Sequence, residues 1–165
     1  MPESANGQVL KGVVWELPDS TPEAILDLRH MKEVGIQVVR TGVVGDSVLF
    51  AAADSLGLVF YQDMPLVDIP VGELTDSVSM ATRILGEMLI AGNGHPSAGP
   101  IGLAVNTDVT NEDACSYFAA MRAQTQNVDQ EFYYVSKFVE SDVCHGQVDF
   151  VLLDGVGHED PVSIM

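Results

Sequence analysis

The chain has 165 residues, 7 Lys+Arg against 24 Asp+Glu, a formal net charge of -17, 47% hydrophobic residues and 2 cysteines. This length suits one domain with a core that needs no metal or disulfide framework, and the apolar share excludes a disordered acidic tail. So negative a field excludes a phosphate backbone as partner, no apolar run reaches the roughly 18 residues of a membrane span, and no basic-then-apolar signal peptide is expected at the N-terminus.

The acids are dispersed, and lysine is confined to Lys11, Lys32 and Lys137. A surplus of this kind keeps a surface hydrated in concentrated salt, where screening removes the self-repulsion felt in dilute buffer. Two readings stay open, a salt-adapted (halophilic) protein and an ordinary acidic one.

In chain order, Val9–Trp15 reads as a first strand. Thr21-Pro22-Glu23 then opens a helix as cap, first-turn proline and early acid, and Gly35 closes it. Ile36–Thr41 is a second strand, Asp46 caps a helix through Leu56 that Gly57 ends, and Leu58–Gln62 is a third strand. Pro65 and Pro70 make the stretch that follows an extended loop. A longer helix over about 76–90 leads to a Gly-rich turn holding His95, and Ile101–Asn106 is a fourth strand. Thr110 caps a helix through Arg122, with Asp113 completing a capping-box-like start. Phe132–Val135 and Val148–Leu153 are the fifth and sixth strands. With no repeat, linker or low-complexity tract, residues 1–165 read as a single domain.

Strands alternating with helices imply a parallel sheet with right-handed crossovers, and near-continuous apolar strands imply cover on both faces. An open doubly wound sheet and a (β/α)8 barrel both fit. A whole barrel takes about 250 residues, so a barrel here is incomplete, with about six β/α units.

Four stretches favour the barrel: VLKGVVWELPDS at 9–20, MKEVGIQVVRTG at 31–42, AADSLGLVFYQDMPL at 52–66 and GHPSAGPIGLAVNTD at 94–108. In this order and spacing they resemble the catalytic barrel of glycoside hydrolase family 2 (clan A), the β-galactosidase, β-glucuronidase and β-mannosidase group. The resemblance spans about residues 9–108. It implies an α/β TIM-barrel-like fold acting on or binding β-linked carbohydrate, an extracytoplasmic setting, and a substrate pocket at the carboxyl ends of the strands. Arg40 resembles the family arginine that holds the catalytic carboxylate, and Asn106 the asparagine that contacts a sugar hydroxyl beside the acid/base residue. Trp15, Glu16 and Asp63 fall where the family lines its pocket.

The family has Glu directly after that asparagine; this chain has Thr107. Glycoside hydrolysis needs two carboxyl groups, and a threonine hydroxyl cannot protonate a leaving group at neutral pH. Asp108 is the candidate replacement acid, although strand alternation turns it elsewhere. The second carboxylate belongs on a seventh strand that this chain does not reach. A domain that is inactive as it stands is therefore expected. The alternative is a non-catalytic sugar-binding or assembly module built on a barrel remnant, its open edges covered by a missing C-terminal segment or a second copy.

Other features have plainer readings. Arg40 equally fits a buried ion pair, and Trp15 a core residue. His95 orders its turn. His145 and His158 lack a matching ligand set, so no metal site is expected. No phosphate loop or Gly-x-Ser-x-Gly occurs, and no cofactor is expected. Asp154, Glu159 and Asp160 fit a sixth-strand end with pocket carboxylates, but a solvated acidic tail is the simpler reading. Cys115 reads as core and Cys144 as an exposed loop residue. Of Tyr133 and Tyr134, alternation sends one ring inward and one outward.

Overall fold

The computed structural model describes residues 10–136 and 141–153, so that Val9, Lys137, Asp154, His158, Glu159 and Asp160 lie outside the described residues. Its strands are β1 (Gly12–Val14), β2 (Val38–Thr41), β3 (Val59–Asp63), β4 (Ala98–Val105), β5 (Phe132–Ser136) and β6 (Phe150–Leu153). All neighbours pair in parallel, and the sheet order is the chain order, β1 to β6. Every crossover therefore steps in the same direction. A doubly wound sheet must reverse its order once, whereas an unreversed, twisted parallel sheet curls toward closure. The result is a half-barrel with helices α1 (Thr21–Glu33), α2 (Ser47–Leu56), α3 (Val71–Leu74), α4 (Val78–Gly92) and α5 (Glu112–Gln124) in its connections.

The helices cover the convex face in two apolar clusters. One joins α1 and α2 to β2 and β3 through Ala24, Leu28, Val39, Phe50, Ala53 and Phe60. The other joins α4 and α5 to β4 and β5 through Leu85, Met88, Leu103, Phe118, Met121 and Tyr134. A third, smaller cluster fills the concave face: Val105, Tyr133 and Val135, with Tyr61, Phe150 and Leu152 against them. Tyr133 and Tyr134 point to opposite faces as alternation requires, yet both are fully buried, because each face is covered there.

Local signals set most element ends. Asp46 accepts a hydrogen bond from the Val48 N–H (2.8 Å) as N-cap of α2, and Gly57 ends that helix at φ 63°, a left-handed conformation that costs glycine least. Three expectations need correction. The proline-bearing stretch after β3 is not wholly extended. Pro70 is the N-cap of the short helix α3, a position whose N–H would go unpaired in any case. The N-cap of α5 is Asn111, whose side chain accepts from the Asp113 N–H, while Thr110 is engaged by Asp108. Finally, Cys144 is not an exposed loop residue. It is fully buried and disulfide-bonded to Cys115, because the β5–β6 connection folds back over α5.

Candidate functional site

Parallel register lines up one row of inward positions across the sheet: Asp63 beside Gly102, Gly102 beside Tyr133, and Tyr133 beside Phe150. Arg40 on β2 reaches this row. Its Nε and Nη2 both lie 2.8 Å from Asp63 Oδ2, and the Tyr133 hydroxyl donates to Asp63 Oδ1 at 2.7 Å. Both oxygens of the carboxylate are thus engaged, one by a guanidinium and one by a phenol. Arg40 and Asp63 are only 18% and 15% exposed.

Gly102 makes this reach possible. A Cβ there would lie 2.6 Å from Asp63 Oδ1 and 2.7 Å from Tyr133 Cε2, so the tyrosine ring crosses β4 in the space that a side chain would fill. Burial raises the Tyr133 pKa above the ordinary tyrosine range, and the neighbouring Asp63 charge adds to the shift. Tyr133 is consequently a neutral donor at any physiological pH. For Arg40, burial works against the charge, but the hydrogen bond and charge of Asp63 outweigh it and raise its pKa further. Tyr133 stacks on Phe150 (centroids 5.4 Å apart, planes at 17°), and Tyr61 leans on both at 5.9 and 6.0 Å. The concave face therefore has an aromatic floor beside a fixed ion pair.

At the carboxyl end of β4 the chain turns sharply. Asn106 takes φ 58°, a left-handed conformation unusual for any residue but glycine, asparagine or aspartate, and its N–H donates to the Val135 carbonyl. The segment after β3 prolongs the ladder beside it, with Val105 N–H on Leu66 O and Asp68 N–H on Val105 O. Asn106 Oδ1 and Thr107 Oγ1 are buried with no hydrogen-bond partner among the described residues. Buried polar atoms are nearly always paired, so these two oxygens, like Thr41 Oγ1, stand out as exceptions.

The remaining sequence-nominated residues lie elsewhere. Trp15 packs with the α1–α2 cluster on the convex side, and its indole N–H donates to Asp27 on α1 (3.1 Å). Glu16 is exposed after β1. Asp108 is exposed, and its Oδ1 accepts from both the N–H and the hydroxyl of Thr110 (3.0 and 2.6 Å). Arg40 and Asp63 are brought together. Tyr133 and Gly102 received no site role from sequence, although a glycine inside an apolar strand is the standard sign of close approach. Among the described residues no group of three His, Cys, Asp or Glu is placed to hold a metal ion, and no helix is long and apolar enough to cross a membrane.

No protein-family profile matches the chain, and no curated protein sequence does. Solved structures do match its fold. A β-glucuronidase from Ruminococcus gnavus in complex with D-glucaro 1,5-lactone superposes with a TM-score of 0.75 at 18% identity, over 87% of this chain and 27% of that one. A glycoside hydrolase family 2 β-galacturonidase from Eisenbergiella tayi bound to galacturonate gives 0.73 at 18% identity, over 87% and 28%. The chain thus spans little more than a quarter of the enzymes it matches and shares the fold of part of a family 2 glycoside hydrolase.

Proposed function

We propose that this chain forms the first six β/α units of a carbohydrate-acting barrel and contributes the sugar-binding end of strands β2 to β4 to a β-glycoside site. The observation that carries this reading is Asn106. It follows β4 in a left-handed turn, with a buried, unpartnered side-chain oxygen, at the position where the resembling family contacts a sugar hydroxyl. The Arg40–Asp63 pair, fixed by Tyr133 on the neighbouring strands, is in keeping with it.

Within the proposed site the chain binds and does not cleave. Thr107 stands where a proton-donating Glu is required, and Asp108 caps its own loop. Cleavage in a longer protein would need a carboxylate from outside the described residues. A second reading is a sugar-binding or assembly module that never cleaves. It is favoured by Thr107, whose hydroxyl stands where a proton-donating Glu is required and cannot protonate a leaving group. In either case β1 and β6 are the edges among the described strands, which we propose are covered by further strands or a second copy.

The test is titration of the chain with methyl β-glycosides, neutral and uronic, followed by ligand-observed NMR, alongside hydrolysis of nitrophenyl β-glycosides. The expected result is binding that Asn106→Ala abolishes, without turnover. Absence of binding to every glycoside, or binding indifferent to Asn106→Ala, would overturn the proposal. Turnover by the chain alone would overturn its non-catalytic part.

A further inference from the structure

We infer that the Cys115–Cys144 disulfide is a redox latch that holds β6, and with it one wall of the aromatic floor, onto the barrel. The two cysteines are 29 residues apart in sequence. Cys115 lies near the start of α5 and is partly exposed, whereas Cys144 is fully buried in the β5–β6 connection. Around Cys144 the connection is tightly tied. The Cys144 N–H donates to Asp142 Oδ1 (2.7 Å), the other Asp142 oxygen accepts the Tyr134 hydroxyl, and the Gln147 N–H donates to the Cys144 carbonyl (2.8 Å).

A second grip lies just before β6. Asp149 Oδ2 takes the Phe132 N–H (2.8 Å) and Arg122 Nη1 (2.6 Å), and Arg122 also belongs to α5. Phe150 comes next and stacks on Tyr133. Helix α5 therefore holds the connection at one covalent and one ionic point. The ionic pair is 42% and 34% exposed and is weakened by solvent and salt, so the covalent point dominates. Strand β6 pairs with β5 alone among the described strands. Opening the disulfide leaves β6 held by its pairing with β5, the Phe150 stack and the exposed Asp149 pair, without its covalent tie to α5.

The exchange is chemically simple. A thiolate of a small dithiol attacks Cys115 Sγ, the more accessible sulfur; the S–S bond breaks and Cys144 leaves as thiolate. The reagent's second thiol then displaces Cys115, so that two electrons and two protons pass from the dithiol to the cysteine pair. A small disulfide oxidant reverses the change. This inference does not depend on the carbohydrate reading.

The experiment is hydrogen–deuterium exchange on the full chain, oxidised with glutathione disulfide or reduced with dithiothreitol, with Cys115→Ser in parallel. Oxidised protein is expected to lack free thiols. Reduction should speed exchange of residues 141–153 by about tenfold or more, while residues 38–41 and 59–63 keep their protection. Cys115→Ser should resemble the reduced protein under both conditions. The latch is overturned by free thiols persisting after oxidation, by unchanged exchange at 141–153 on reduction, by equal acceleration in every strand, or by a Cys115→Ser chain that still responds to dithiol.

Discussion

Replacing Gly102 by alanine tests the central geometry of the site directly. The added Cβ would sit 2.6 Å from Asp63 Oδ1 and 2.7 Å from Tyr133 Cε2, closer than carbon atoms tolerate. Neither neighbour can step aside cheaply. The Tyr133 ring is fully buried between Tyr61 and Phe150, and Asp63 is held by two nitrogens of Arg40. Overpacking of this kind costs about 1–3 kcal/mol, and a lost hydrogen bond to a charged acceptor costs about 1.5–3 more. Gly102→Ala should therefore lose about 2.5–6 kcal/mol, a shift of about 1–3 M in urea midpoint for a slope of about 2 kcal/mol/M. The two terms are coupled through the phenol. With Tyr133→Phe already present the hydrogen bond is gone, and Gly102→Ala should cost only the overpacking. Gly86→Ala is the control. It lies in α4 with nothing within 4 Å of its added Cβ, and should stabilise by about 0.5–1 kcal/mol. Urea denaturation of the four variants measures all of this. If Gly102→Ala costs under about 1 kcal/mol, or its cost is unchanged by Tyr133→Phe, then Tyr133 does not reach Asp63 across Gly102 as described.

Arg40→Lys should destabilise by about 1–2 kcal/mol, since one ammonium cannot reproduce two guanidinium nitrogens on Asp63 Oδ2; denaturation midpoints equal to the parent's would refute the pairing. Asp54 accepts from the Ser97 N–H (2.8 Å) and lies 2.7 Å from His95 Nδ1. Burial alone would raise its pKa, but the Ser97 bonds and then His95 lower it below the ordinary 3.8. With a depressed folded value, its contribution is complete above about pH 4 and lost as pH falls through that value. The stability gap between the parent and Asp54→Asn should accordingly narrow between about pH 5 and pH 3, and a gap that widens would reverse the sign argued here. From the net charge of -17, melting temperature should rise from dilute buffer to molar salt; greater stability in dilute buffer would remove the salt-adapted reading.

What could be read from sequence was what sequence encodes locally. The Asp46 cap and Gly57 stop of α2 need only neighbouring residues, and both ends fall where those residues put them. Periodicity describes one element at a time and left barrel and doubly wound sheet open; the four resembling stretches favoured the barrel, and the unreversed strand order bears that out. The pairing of Arg40 with Asp63 spans 23 residues and that of Asp63 with Tyr133 spans 70, so register alone brings them together. The resembling motifs pointed to Arg40 and Asp63 but carried no information about Tyr133, which lies outside them. The disulfide was invisible for a related reason. Its spacing of 29 residues fits many arrangements, and only the fold of the β5–β6 connection over α5 brings the two sulfurs together.

The engagement of Asp63 bears on what chemistry this half-barrel can contribute. A general acid needs a proton and room to deliver it, and a nucleophile needs an unencumbered oxygen. Asp63 offers neither, since one oxygen faces Arg40 and the other accepts from Tyr133. Among the described residues it is nevertheless the carboxylate set into the aromatic floor, while Asp108 faces its own loop. The arrangement instead suits positioning. Under the proposed function, a guanidinium fixed on one side by Asp63 presents a defined charge to whatever approaches from the other. Binding geometry and proton transfer thus belong to different parts of such a barrel. On the proposed reading, Thr107→Glu restores a carboxylate at the β4 end, but it cannot confer turnover by itself without a second carboxylate opposite it. Turnover by the Thr107→Glu chain alone would show that a second carboxylate is already present, and the division argued here would fall.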